Sequence, residues 1–173
     1  EVQITFTGPN FRTKLGNTEQ AWLHVVPELK NIGHSVATHV RIATMLILHP
    51  WGNGWGDFRN DRKKACDWVT KEAADGPTDV VLFPDESYDG IRPGSPEFLT
   101  ESHITTLDKV RFITPALVGC IGYQFQSSPH QHYTSFVYEI FHSNDRTRHF
   151  LVGQDVPAEQ ILMVRNRQYD YAD

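Results

Sequence analysis

The sequence predicts an all-β fold, an immunoglobulin-like antiparallel β-sandwich with one inserted amphipathic helix. Three features lead there. Strand-like runs recur along the 173 residues and are mostly joined by short Gly, Pro, Asn and Asp turns. Only one stretch, roughly 57–75, carries helical periodicity. And the segment Pro115–Ser143 reads as a hairpin whose two arms are apolar on both faces, as a strand pair buried inside a covered sheet must be.

In chain order, Val2–Thr7 alternates apolar and polar side chains and ends at the turn Gly8-Pro9-Asn10, with loop expected from Phe11 to Glu19. Ala21–Leu29 resumes strand character, and Pro27 marks an edge, bulge or bend in it. After a turn at Lys30–Ser35, Val36–Leu48 is a long strand with Val36, Thr38, Val40, Ile42, Thr44, Leu46 and Leu48 on one buried side. The glycine- and tryptophan-rich His49–Gly56 breaks the pattern. From there Phe58, Ala65, Val69 and Ala73 form a narrow apolar stripe among charges, with Asp57 as N-cap and Gly76-Pro77 as the stop.

Asp79–Phe83 is a short strand closed by Pro84, and Asp85–Pro96 is loop. Phe98–Ile104 reads as an edge strand and Thr105–Phe112 as a helical turn. In the hairpin, Leu117, Ile121, Tyr123 and Phe125 share one face, with Val118 and Cys120 on the other; across the turn, Tyr133, Val137 and Phe141 alternate with Phe136, Tyr138 and Ile140. A polar turn at Ser143–Arg148, a short strand at His149–Val152 and a last apolar element at Ala158–Arg165 complete the chain. The expected organisation is one domain over 1–173, with a helical insertion at about 57–75 and a C-terminal extension at about 143–173. The hairpin's two faces are expected to meet the strand Val36–Leu48 on one side and the helix or the C-terminal element on the other.

Composition narrows the function classes. A net charge of −5 without a basic tract argues against a nucleic-acid partner. No run approaches the roughly 20 apolar residues of a membrane helix. Cys66 and Cys120 read as two separate small packing residues, with a bridge between them left open, and unpaired thiols lean toward a reducing compartment.

Four constellations could carry chemistry. Gly52, Gly54 and Gly56 lie between a strand and a helix, with Asp85 after the next strand. That order resembles a dinucleotide site, but the glycine spacing is wrong and the acid falls about 29 residues on instead of roughly 20. His130 and His132 form a His-x-His pair capable of holding a metal, while His142, ten residues further at about 3.3 Å each, is out of reach. No nucleophile elbow is present, and neither cysteine has an evident base beside it. Trp51 and Trp55 flank flexible glycines and, with Tyr88 in the following loop, could offer a sugar or peptide an aromatic platform; plugging a sandwich end is their plainer use.

Two segments carry a family resemblance. Asn31-x-Gly33-x-Ser35-Val36-Ala37-x-x-Val40 resembles an N-x-G-x-(T/S)-(P/V)-A-x-x-V turn. Gly119-x-Ile121-x-Tyr123, with His132-x-Thr134-x-Phe136, resembles a tyrosine strand followed by H-x-T-x-F. Both are similar to segments of uncharacterised bacterial proteins in which transmembrane helices precede a soluble β-domain. The resemblance spans roughly Val2–His142, lacks the usual acid near Gln126-Ser127, has Val36 in place of proline, and leaves Ser143–Asp173 unmatched. It implies a tethered domain on an unknown side, the cytoplasmic being preferred on the cysteines, with no catalytic residue or cofactor to carry over.

The leading expectation is therefore a non-catalytic sensing or protein-interaction domain, with Asn31 and Gly33 serving a turn that needs left-handed backbone and Gly119 and Gly122 close sheet packing or a bulge. The alternatives are a small-ligand or carbohydrate module at Trp51, Trp55 and Tyr88, and below it a metal protein or enzyme using His130 and His132.

Overall fold

A computed structural model describes residues 1–13, 20–49, 58–72, 80–89, 97–128 and 130–172. Two antiparallel sheets share one hydrophobic core, and one helix covers the outer face of the larger sheet. In the smaller sheet, β1 (Val2–Arg12) pairs with β2 (Gln20–Asn31), which also meets the short β5 (Ser87–Tyr88) and β6 (Glu97–Phe98). In the larger sheet, β11 (Ile161–Arg165), β9 (Gln131–His142), β8 (Val110–Phe125), β3 (Ala37–His49) and β4 (Val80–Leu82) follow in that spatial order. Here β7 (Thr105–Leu107) and β10 (Phe150–Leu151) pair with β8, and β12 (Tyr171–Ala172) with β9. No described helix is long and apolar enough to cross a membrane.

The burial patterns explain the layers. Alternate residues of β2 are buried from Ala21 to Asn31, the signature of a sheet covered on one face. In β8 burial runs unbroken from Phe112 to Tyr123, because both faces are covered. On the inner face Leu117, Ile121 and Tyr123 join Phe136, Tyr138 and Ile140 of β9 against Val2, Ile4 and Leu23 of the smaller sheet. The Tyr138 hydroxyl donates to the Ile4 carbonyl at 3.0 Å and so links the sheets, and burial pushes its pKa up. Phe6 packs edge-on against Tyr138 at 5.0 Å.

The outer face is the floor for α1 (Arg59–Glu72). Ala65 and Val69 rest on Ala43 and Cys120, while Phe58, just before the helix, sits on Ala116, Val118 and Val137. Thr70 Oγ1 lies 3.0 Å from the Tyr133 hydroxyl, and Arg62 reaches Ser135 Oγ at 3.4 Å. Glycine makes the seating possible. A Cβ on Gly122 would stand 2.5 Å from Val69 Cγ1, and one on Gly119 would overlap the Phe136 ring on the other side of the sheet.

Several expectations are corrected. Val36–Leu48 does not face the hairpin; as β3 it is β8's hydrogen-bonded neighbour, and the smaller sheet covers the inner face instead. Nor is β3 single-sided. A bulge between Thr38 and Arg41, with His39 at φ 53°, shifts the parity so that Ala37 and Val40 both point inward, and Met45 and Ile47 lie beneath the helix. Gly8-Pro9-Asn10 is a register shift within β1 rather than its end, so β1 runs on to Arg12. Thr105–Phe112 is no helical turn: β7 and β8 form a hairpin over Asp108-Lys109, both at positive φ as a two-residue turn requires. Residues after Ser143 are woven into the sheets through β10, β11, β12 and a bridge between Phe11 and Val156.

The largest correction concerns the thiols. Cys66 on α1 and Cys120 on β8 are not separate packing residues but form a disulfide, Cα–Cα 5.0 Å. The lean toward a reducing compartment, which rested on unpaired cysteines, loses its ground.

Asn31 and Gly33 also act differently than expected, since neither has positive φ. Asn31 is fully buried: its Nδ2 donates to the carbonyls of Ser35 (2.8 Å) and Leu82 (3.0 Å), and its Oδ1 accepts from the Gly33 amide. Gly33 is required by space, because a Cβ would stand 2.8 Å from the Glu1 nitrogen.

Candidate functional site

A strand inside a sheet has partners on both sides, and β3 has them only in part. Its β8 side is paired from Ala37 to His49, with the bulge interrupting the ladder. On its other side β4 meets it at Ala37 and Val40 alone. From Ile42 to His49 no described strand lies there, and alternate backbone N–H and C=O groups of that stretch point away from β8. Eight residues at roughly 3.3 Å each make an edge about 26 Å long that is open among the described residues.

Beside this edge runs a trench of about 320 Å³ along Thr44–Leu48. Asp61, Lys64 and Trp68 of α1 form one part of its lining. Their spacing of three and four residues puts them on one helical stripe, next to the stripe of Ala65 and Val69 that grips the sheet. Asp61 and Lys64 pair with each other at 3.1 Å. Trp68 remains 42% exposed, a large apolar ring left beside the β3 edge that no described strand pairs.

The far end gathers polar groups. His103, from the 3₁₀ turn Glu101–His103, lines the trench, and its Nδ1 is buried without a hydrogen-bond partner. His49, the last residue of β3, packs edge-on against Phe58 at 5.2 Å, and its Nε2 is likewise buried and unpartnered. Burial lowers the His49 pKa; the Asp61 charge opposes that shift and the His103 charge adds to it. These groups do not make a metal centre: no cluster of three or more His, Cys, Asp or Glu suited to a metal occurs among the described residues. What the arrangement offers is a ladder of backbone donors and acceptors, an apolar ring alongside, and two imidazole nitrogens able to exchange hydrogen bonds.

None of the described site residues picked from sequence lines the trench. Trp51, Trp55 and the glycines between them fall outside the described residues. Tyr88 stands opposite Leu29 in the smaller sheet, 36% exposed and separate from the trench. His130 sits in the hairpin turn, its amide donating to Ser128 Oγ at 3.3 Å. His132 faces Tyr123 across the ladder and stacks on its ring at 5.7 Å, with Phe125 at 5.1 Å, so its imidazole belongs to the aromatic packing of the hairpin. Asp85 takes a left-handed backbone and donates its amide to the Asn31 carbonyl, which makes it a turn residue.

Sequence reasoning missed His49, Asp61, Lys64, Trp68 and His103. The helical stripe of Asp61, Lys64 and Trp68 was legible in principle, since an isolated tryptophan among charges invites a reason. The open edge was not, because strand pairing joins segments far apart in the chain. The chain matches no protein-family model, no curated protein and no solved structure.

Proposed function

We propose that this domain is a non-catalytic protein-interaction module that takes an extended segment of a partner protein as an added strand on β3. The observation that carries the reading is the edge from Ile42 to His49, along which no described strand pairs and which a trench borders. Strand addition draws affinity from main-chain hydrogen bonds and selectivity from pockets for alternate side chains, and this edge has both. Trp68 supplies the apolar anchor of the kind that dominates such contacts. The resemblance noted in Asn31–Val40 and Gly119–Phe136 adds a tether outside these residues, so the partner segment would be met near a membrane. The finer immunoglobulin-like description belongs to the same proposal; two antiparallel sheets over a shared core are its support.

A display selection with random ten-residue peptides tests the function. Enriched peptides should bind the wild type, lose about tenfold or more in affinity with Trp68→Ala, and slow amide exchange within Arg41–His49. Selection of nothing above background, or binders that leave β3 exchange unchanged, would sink the proposal.

A further inference from the structure

The trench has one wall that does not belong to the sheet. Asp61, Lys64 and Trp68 ride on α1, whose buried side chains among the described ones are Ala65 and Val69, with Phe58 just ahead of it. Cys66 lies between Lys64 and Trp68, and its disulfide fastens the helix to Cys120, which stands directly opposite Ala43 of β3. The cross-link is thus one strand away from the edge and two residues from the trench lining on either side.

We infer that the Cys66–Cys120 disulfide is the device that holds the trench together, so that capture of a partner strand is conditional on oxidation. The conditional capture rests on the proposed function; the holding of the wall rests on α1 alone. Formation joins the two thiols with loss of two protons and two electrons, which pass to the disulfide of a thiol oxidoreductase and leave it as a dithiol. In reduction a dithiol's thiolate attacks Cys66 Sγ. Cys120 departs as a thiolate and takes a proton, and the second thiol of the reductant resolves the mixed disulfide, freeing Cys66. Cys120 is fully buried beneath the helix while Cys66 is half-buried, so Cys66 is the sulfur to which a reductant is admitted. The complete trench therefore belongs to a compartment that keeps thiols oxidised, outside the reducing cytosol.

The sheet does not depend on α1 in the same way. The inner faces of β8 and β9 are held by the core shared with β1 and β2, which the cross-link does not touch. Opening the bond should release the helix and leave the hairpin in place.

The test compares the oxidised 173-residue chain with the same chain after dithiothreitol and with Cys66→Ser, by amide exchange and by binding of a display-selected peptide. The expected result is at least tenfold faster exchange across Arg59–Glu72, leaving α1 at least tenfold less protected than Leu117–Tyr123 and Phe136–Ile140, which lose only the global stability that the cross-link supplies, and at least tenfold weaker peptide binding. Unchanged exchange in α1 overturns the inference. Convergence of α1, β8 and β9 on one rate after reduction also overturns it, since the helix would then open only with the whole fold. A released helix with undiminished peptide affinity overturns the gating. If the oxidised protein binds no selected peptide at all, the proposed function fails, while an α1 that exchanges faster than β8 and β9 in the reduced protein would still support the holding role. Cys66→Ala/Cys120→Ala repeats the comparison should the serine variant fail to fold.

Discussion

Asn31 shows how a polar side chain comes to be fully buried without cost. Its amide serves two carbonyls and its oxygen one amide, joining the end of β2, the turn beyond it and the strand β4. Asn31→Ala would strand these groups, each worth about 1–3 kcal/mol when buried unpaired, so a loss of about 2–4 kcal/mol is expected in urea unfolding. His49 predicts a pH effect. Its folded-state pKa lies below the ordinary 6.5, so between that value and the depressed one the unfolded chain binds a proton that the native chain refuses. Stability should be fully present above about pH 6.5 and fall as the pH drops below it, and the fall should flatten in His49→Gln; unchanged pH curves would contradict the assignment. His149, also lowered by burial, adds in the same direction. At this scale the sequence was half informative. Asn31 and Gly33 stood out as a motif, but their reason, a side-chain knot and a close approach by Glu1, lay in contacts distant along the chain.

Elements were more legible than residues. The face assignment of Leu117, Ile121 and Tyr123 against Val118 and Cys120 follows from period two, and the structure places these sets on opposite sides of β8. The helical stripe of Phe58, Ala65 and Val69 is buried as its spacing required. Legibility failed at bulges and tight turns: one extra residue near His39 inverted the parity of β3's start, and Asp108-Lys109 lacks the glycine that announces a two-residue hairpin. The contact between elements yields a prediction. Gly122→Ala would drive a methyl into Val69, so α1 must lift. A cost of about 1–3 kcal/mol, with faster exchange in α1 than in β8, is expected. Equal exchange in both would mean the helix adapts without lifting.

For the whole molecule, hydrophobic pattern indicated an all-β chain with one helix, and two antiparallel sheets with a helix are present among the described residues. Which segments pair was not written there, because β3 and β8 are more than sixty residues apart and either side of β3 could have been the closed one. The disulfide was hidden for the same reason: only when α1 lies on the outer face do Cys66 and Cys120 approach. Its cross-link spans 54 residues, which by loop-closure entropy contributes about 4 kcal/mol against unfolding. Reduced protein should therefore show a lower urea midpoint than oxidised protein, and coincident midpoints would show that the native state is strained by as much as the unfolded state is constrained.

The open edge of β3 also sets how much information a partner has to carry. On the proposed function, a strand laid along Ile42–His49 would be recognised chiefly through its main chain, which every residue but proline can supply. Of about eight positions only every second one would turn toward the helix and trench, so about four side chains would carry the choice and the rest would be free to drift. Selection on such a partner would appear as an alternating pattern of constrained and variable positions, interrupted nowhere by proline. A domain that reads in this way can keep a partner through extensive sequence change, or acquire a new one by a few substitutions at alternate sites.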